Sequence, residues 1–177
     1  YRRQRQMCIR DRHYIDKKVD KSLLDEMLSA ANLAPSWKNS QTPRFYVATG
    51  EKSKNAVREA LPEFNRKNSE NASAYIVTTV VLNRSGFDKD GTAVTEIGNG
   101  WGYYDLGLNN MALLLKATEL GISTLVMGIR DGEKLRKEFD IPETEAVVSV
   151  IAVGYTDSEI VRPKRKSVED FAKFYED

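Results

Sequence analysis

The sequence predicts a single α+β domain, in which helical and strand patterns follow one another along most of the chain. The 177 residues can build one core, whereas two halves would each bury too little apolar surface. A hydrophobic fraction of 41% with 30% charged residues is typical of a soluble globular domain. Length, composition and the succession of patterns therefore agree on one fold class.

Charge and composition exclude several classes of function. The 27 basic residues nearly balance the 26 acidic ones, and no apolar run approaches the roughly 20 residues that span a bilayer. The single Cys8 excludes an internal disulfide and, without a secretory pattern, favours the cytoplasm. The single His13 leaves little material for a zinc site or a Ser-His-Asp triad. Any chemistry is therefore expected to come from a bound cofactor.

Residues 1–12 differ from the rest of the chain. They are rich in arginine, including Arg10 and Arg12, and show little apolar periodicity. We expect a non-native or disordered basic leader here and a single domain at 13–177. The arginines also allow a small nucleic-acid-binding module as an alternative function. Because the basic run is local and has no interleaved aromatic residues, we predict no nucleic-acid partner.

The first half of the domain alternates between helix and strand. Asp20 can cap a helix whose apolar residues recur at three-and-four spacing, and Pro35 ends it. A short strand at 45–48 precedes a helix at 51–61, which Pro62 stops. The β-branched run at 75–82 predicts a buried strand.

The second half begins with a glycine-rich stretch at 83–102, which predicts a long loop or lid. The helix predicted at 103–120 is apolar around most of its circumference, so we expect it in a core or a dimer interface. The remaining patterns predict a strand at 123–127, a helix at 131–139, a strand at 146–153 and a helix from Val168.

The corner between the first helix and the first strand carries several polar side chains. Its sequence, 34–41, is Ala-Pro-Ser-Trp-Lys-Asn-Ser-Gln. Such a corner can donate hydrogen bonds to a polar ligand, but its spacing suits equally a turn whose Ser36 and Asn39 satisfy the local backbone. The pattern Ala-Pro-Ser-x-x-Asn-x-Gln, followed by Arg44 and Phe45, closely resembles the helix-to-strand junction of the nitroreductase family.

The resemblance covers roughly residues 14–171 and implies a three-layer fold with a mostly antiparallel central sheet flanked by helices. It also implies a homodimer with one FMN in each of two interfacial clefts. Pro35, Ser36 and Asn39 would then contact FMN from the partner chain. The long helix from Tyr103 fits the dimer interface.

Two further segments match family positions beside the flavin ring. Asn65 and Asn68 correspond to polar residues that face the pyrimidine ring, although the charged neighbours also suit a solvated helix end. Met127 and Gly128 correspond to a loop that passes the N5 edge, where glycine permits close approach of the main chain. Asp131 is better explained as a helix cap.

The flavin phosphate is expected between the two ends of the chain. By resemblance Lys164 and Lys166, or Arg165 alone, would bind it, although such a run is usually a solvated surface. The family's Arg-Arg-Ser-x-Arg-x-aromatic pattern is matched only at Arg12 and Tyr14. Arg10 and Arg12 are therefore the best remaining N-terminal contacts.

The stretch 98–102, Gly-Asn-Gly-Trp-Gly, is similar to half of a dinucleotide-binding fingerprint. It lacks a good preceding strand, a correctly placed third glycine and a later acidic residue. We therefore interpret it as part of the lid, with Trp101, Tyr103 and Tyr104 as stacking walls for the substrate or as plain core.

The resemblance implies an FMN-dependent NAD(P)H oxidoreductase that reduces quinones, nitroaromatics or similar electron-poor small molecules by ping-pong hydride transfer. The flavin N5 would carry the chemistry, so no catalytic side chain or metal is expected. A positive charge near N1, such as Lys164, would favour the reduced ring. The same fold also allows dehalogenation, azoline oxidation or flavin fragmentation.

Overall fold

A computed structural model describes residues 13–157 and 164–176 of the chain. The helices of this part are α1 (Lys21–Asn32), α2 (Glu51–Glu59), α3 (Glu63–Asn68), α4 (Gly100–Glu119) and α5 (Gly132–Glu138). The strands are β1 (Tyr14–Ile15), β2 (Pro43–Ala48), β3 (Ala74–Val81), β4 (Ser123–Met127) and β5 (Glu145–Thr156). None of these helices has the length and apolar content needed to span a lipid bilayer.

The strands form one antiparallel sheet, as predicted. Its order is β1-β5-β3-β2, and β4 also pairs with β5. β5 is the longest strand and holds the sheet together, because it pairs with β1, β3 and β4.

Helices cover both faces of the sheet and create two cores. Along β3, Tyr75 and Val77 belong to the core that also contains Val57 of α2 and Leu135 of α5. The alternate residue Ile76 belongs to the other core, together with side chains of α1 and α4. Side chains of a strand point alternately to opposite faces, so the predicted three-layer α+β fold is confirmed.

The helix predicted from Asp20 is α1, and it buries Leu24, Met27 and Ala31. Asp20 occupies the N-cap position but its side chain makes no capping hydrogen bond. The burial of every third or fourth residue, rather than the cap, therefore explains this helix.

The long helix α4 is not buried on all sides within one chain. It buries Leu106 and Leu113 but exposes 60% of Tyr104, 46% of Met111 and 38% of Leu115. One chain therefore leaves an apolar face of α4 uncovered.

The prediction of a helix from Val168 is wrong. Residues 164–167 form neither helix nor strand, and a single turn follows, in which the Ala172 amide donates to the Val168 carbonyl oxygen. The large side chains of this segment are exposed, including Phe171, Phe174 and Tyr175. Because an isolated short helix is marginal without tertiary packing, the periodicity alone cannot sustain it.

The sequence patterns also miss some elements. β1 was not predicted, α3 was considered only as the solvated helix end around Asn65 and Asn68, and α4 begins at Gly100, before the predicted start. β5 continues past Gly154, which was expected to close it. A Cβ atom at Gly154 would lie 2.7 Å from Cδ1 of Tyr14, so this glycine lets the Tyr14 ring pack on the strand.

Candidate functional site

The junction between α1 and β2 folds into an unusual backbone conformation. A 3-10 turn spans Trp37–Asn39, and Lys38, Asn39 and Gln41 have φ angles of 46°, 55° and 49°. Residues other than glycine rarely adopt positive φ, and such strain tends to occur at functional sites. The local chain is therefore held in place by contacts elsewhere in the fold.

Asp105 of α4 provides the main contact that holds the junction. The Trp37 amide donates to Oδ1 and Oδ2 of Asp105, each at 3.1 Å, and the Ser85 hydroxyl lies 2.5 Å from Oδ2. Asp105 is only 2% exposed. A buried carboxylate needs such donors, so the helix, the junction and the start of the 83–99 segment form one connected unit.

Three aromatic side chains meet beside the junction. The ring centroids of Trp37 and Trp101 are 4.6 Å apart, and those of Trp101 and Tyr104 are 5.8 Å apart. These distances suit offset and edge contacts between rings. The structure therefore brings Trp101 and Tyr104 together, whereas Tyr103 makes no ring contact with another described residue, and both tyrosines are exposed on α4.

The segment before α4 closes against this aromatic cluster. Trp101 Nε1 donates to Thr95 Oγ1 at 2.8 Å, and Phe87 forms an isolated bridge with Ala93. Gly86 has a φ of 83°, and a Cβ atom there would lie 2.7 Å from Trp101 Cδ1. The glycine-rich stretch is thus a loop with a short extended piece, as expected.

A cavity of about 520 Å³ lies beside the junction. Of the predicted site residues, Ser36 and Asn39 line this cavity. Pro35, which precedes Ser36 in the sequence, is exposed. The cavity is otherwise lined by Leu28, Asn32, Ala34, Ser40, Gln41, Pro43, Arg44, Phe45, Arg84 and Asn109.

A second group of predicted residues, the Asn65 group (Asn65, Asn68, Met127 and Gly128), lies where α3 meets the loop after β4. Asn65 is buried, and its Nδ2 donates to the Ile129 carbonyl oxygen at 3.1 Å. Met127 is buried at the end of β4, and a Cβ atom at Gly128 would meet no atom within 4 Å. Space is therefore open beside the Gly128 backbone. Asn68, the last residue of α3, is half-buried.

Arg130 and Asp131 shape the same loop. Arg130 donates to the carbonyl oxygens of Gly128 and Val147, and its Nε is buried without a hydrogen-bond partner in the described ranges. Asp131 accepts a hydrogen bond from the Lys134 amide at 3.0 Å, which confirms its predicted role as the N-cap of α5.

Of the predicted phosphate contacts, the described residues include those of the C-terminal tail but not those of the N-terminus. Lys164 and Lys166 are exposed in a segment without regular secondary structure and form no hydrogen bond or ion pair with other described residues. Arg10 and Arg12 lie outside the described residues.

The junction and the Asn65 group lie on opposite sides of the sheet. The junction is bonded to α4, which contributes to one core, whereas Met127 belongs to the other. Across residues 13–157 and 164–176, no hydrogen bond or ring contact joins the two groups. A single chain does not bring them together.

The family model described as "Nitroreductase family" matches residues 3–155, well over half of the chain. The chain belongs to the nitroreductase family. This membership supports a general role as an oxidoreductase.

Several known proteins resemble this nitroreductase-family chain over most of its length. A protein of Archaeoglobus fulgidus, provisionally named NADH dehydrogenase/NAD(P)H nitroreductase, is 27% identical over 84% of this chain and 80% of its own. A nitroreductase family protein of Streptococcus pneumoniae has a TM-score of 0.83 at 21% identity, covering 98% of each chain. A structure titled as an oxidoreductase containing FMN has a TM-score of 0.81 at 22% identity, covering 97% of this chain and 89% of that one. These two structures show the shared fold.

Sequence reasoning missed Trp37, Arg84 and Asp105 in the candidate site. Asp105 had a detectable signal, because it is the single acidic residue between 100 and 118 in a largely apolar helix. A lone acid in such a position is costly unless it is paired. Arg84 had no comparable signal, since its place at the cavity depends on the fold of the whole loop.

Proposed function

We propose that this chain is an FMN-dependent NAD(P)H oxidoreductase that acts as a homodimer and reduces quinones, nitroaromatics or similar electron-poor molecules. The proposal rests on one observation. The junction and the Asn65 group, which would together contact one flavin, lie apart within a single chain. A second copy can supply the junction that each Asn65 group lacks. The relatives named for NAD(P)H and for FMN support the same assignment.

The side chains of the Asn65 group suit FMN. The amide of Asn65 can pair with the carbonyl and imide edge of a flavin ring, and the open space at Gly128 admits a planar ring close to the backbone. The Arg130 Nε atom is a buried donor that has no partner in the described chain. Buried donors normally have partners, so this group is prepared for a polar ligand.

The phosphate end of FMN would be held by Lys164 and Lys166. Both are exposed cations on a segment without regular secondary structure, and neither forms an ion pair with the rest of the described chain. Arg10 and Arg12 are the proposed N-terminal contacts. Cations that are not already paired with acidic side chains can bind a phosphate without losing an existing interaction.

The uncovered face of α4 supports the homodimer. Tyr104, Met111 and Leu115 are exposed along this helix, and an added Cβ at Gly107 would meet nothing within 4 Å. A contiguous apolar face with a small residue permits a second helix to pack closely.

The protein side chains would bind and orient the reactants. Bound FMN would supply the two-electron chemistry. Asp105 fixes the Trp37 backbone, Asn65 fixes the Ile129 carbonyl, and the rings of Trp37 and Trp101 can exclude water from a planar substrate. We assign no catalytic role to a side chain, and Trp101, Tyr103 and Tyr104 remain our proposed substrate contacts.

Anaerobic mixing of the flavin-loaded protein with NADH and with NADPH tests this function. We expect at least one donor to abolish the absorbance of the oxidised flavin, and an added quinone or nitroaromatic to restore it. The Asn65→Leu variant should bind FMN about tenfold more weakly, because it loses a polar contact. Asn55→Leu, at an exposed position of α2, should bind FMN normally. Failure of both donors to reduce the flavin would contradict the proposed reductase.

A further inference from the structure

The cavity beside the junction carries an unbalanced positive charge. Arg44 and Arg84 both line it, and none of its lining residues is an aspartate or a glutamate. The whole chain has a formal net charge of only +1, so the excess in the cavity is local. A concave site lined by one sign of charge attracts ligands of the opposite sign.

The two arginines differ in how they are held. Arg44 Nη1 donates to the carbonyl oxygens of Gln41 and Pro43 at 2.7 and 2.8 Å, which orients the guanidinium without neutralising it. The side chain of Arg84 is exposed and forms no hydrogen bond or ion pair with any residue that the structure describes. By contrast, Lys38 lies 3.4 Å from Asp88. Arg84 is therefore a cation available to a ligand.

Two hydroxyl groups in the cavity wall can also donate hydrogen bonds. Ser36 Oγ accepts from the Gln41 amide at 3.0 Å, which leaves its own hydrogen free. Ser40 Oγ is buried and has no partner within the described ranges. Since buried hydroxyl groups usually find a partner, the wall combines two cations with two unused donors.

We infer that this cavity is a subsite for a phosphate or carboxylate group carried by one of the two substrates of the flavin reaction. The assignment to a substrate rests on the proposed function, because Ser36 and Asn39 belong both to the cavity and to the proposed flavin contact. A guanidinium group matches the geometry of a carboxylate or phosphate and can donate two parallel hydrogen bonds to its oxygens. Of two reactants that undergo the same redox reaction, Arg84 then favours the one that carries the negative charge.

Two classes of substrate carry such a group, and matched reactants separate them. The donors are NADH, NADPH and 1-benzyl-1,4-dihydronicotinamide, which has no phosphate. The oxidants are 4-nitrobenzoate and nitrobenzene, which differ by one carboxylate.

In the FMN-loaded protein, Arg84→Gln should raise the KM for either the pyridine nucleotides or 4-nitrobenzoate on the order of tenfold, as expected for one charge-assisted hydrogen bond. The KM for the matched neutral reactant should change less than about twofold, because it makes no such bond. Arg84→Lys should restore part of the loss, and Lys52→Gln, an equal charge change at an exposed site of α2, should have no effect. Equal effects on charged and neutral reactants would overturn the inference.

A binding measurement tests the subsite without turnover. Pyrophosphate and benzoate are titrated into the protein while the fluorescence of Trp37 and Trp101, its two tryptophans, is followed. We expect Arg84→Gln to weaken the binding of at least one of them on the order of tenfold, with FMN affinity unchanged. Unchanged anion affinity would overturn the inference, and so would a loss of FMN affinity, which would assign the cavity to the flavin phosphate. Anion binding that depends on Arg84 in a protein that no donor reduces would contradict the reductase and keep the anion site.

Discussion

Asp105 is the residue on which the geometry of the junction depends most. It is buried in α4 and accepts hydrogen bonds from the Trp37 amide and the Ser85 hydroxyl. Trp37 starts the turn in which Lys38 and Asn39 have positive φ angles. The strained turn and the aromatic cluster are thus tied to one carboxylate.

Replacement of Asp105 by alanine should destabilise the protein. We expect a loss of about 2–3 kcal/mol in the free energy of unfolding, because buried donors would lose their acceptor. Asp105→Asn should lose less, since its amide oxygen still accepts. Urea denaturation measures the change, and Asp25→Ala, which removes a surface pair with Lys21, should cost less than about 1 kcal/mol. A stability equal to that of the wild type would contradict the role given to Asp105.

Tyr46 gives the protein a specific sensitivity to alkaline pH. Burial and the hydrogen bond from its hydroxyl to Glu145 raise the pKa of Tyr46 from 10.0 to about 12. The folded state therefore keeps this proton between these values, whereas the unfolded chain loses it. The associated stability is fully present below pH 10 and is lost as the pH rises towards about 12.

The Tyr46→Phe variant tests this linkage. Between about pH 10 and about pH 12 its free energy of unfolding should fall less steeply than that of the wild type, because only the unfolded wild-type chain can release this proton. Burial also raises the pKa of Tyr75. Because Tyr75 is present in both proteins, its contribution to the pH dependence is the same in both and cancels in the comparison. Parallel denaturation series at several pH values give the two slopes. Identical slopes would show that Tyr46 does not contribute.

At the scale of the elements, the sequence predicted those that have a strong local pattern. It missed those that depend on pairing with distant parts of the chain. The β-branched run of β3 and the apolar spacing of α1 correspond to elements that are buried in the core. β1 has only two residues, and it exists because Tyr14 and Ile15 pair with the end of β5. The tail from Val168 has helical periodicity but its aromatic side chains find no packing surface. These outcomes depend on tertiary contacts, which no local pattern contains.

The end of β5 offers a direct test of the packing of β1. Gly154→Ala should destabilise the protein by about 1–3 kcal/mol, because the new Cβ would overlap the Tyr14 ring. At Gly132 a new Cβ would lie 3.8 Å from the Val147 Cβ, an ordinary contact. Gly132→Ala should therefore change stability by less than about 0.5 kcal/mol. Equal melting temperatures for the two variants would contradict the close packing of Tyr14 on β5.

The same distinction applies to the candidate site. The junction, Asn65 and Gly128 were named from the sequence because they match a family pattern at fixed local spacing. Trp37 and Arg84 were missed because their roles depend on contacts with distant residues or on the walls of a cavity. Which residues contact the flavin stays a prediction for all of the named positions.

At the scale of the whole molecule, the proposed function requires two chains for each complete site. Met111→Glu places a charge on the uncovered face of α4 and should produce a monomer that retains its fold but binds FMN at least about tenfold more weakly. Sedimentation velocity and circular dichroism measure assembly and fold. Ser22→Glu, at an exposed position of α1, is the matched control. A Met111→Glu dimer with normal FMN affinity would contradict this interface.

Identification of the bound chromophore shows whether the protein is a flavoprotein. The protein is purified, loaded with excess FMN, separated from free flavin and denatured, and the released compound is identified and counted per chain. We expect FMN at one molecule per chain, or two per homodimer. A protein that retains no flavin after loading, under conditions in which it is folded and dimeric, would contradict the proposed FMN-dependent function.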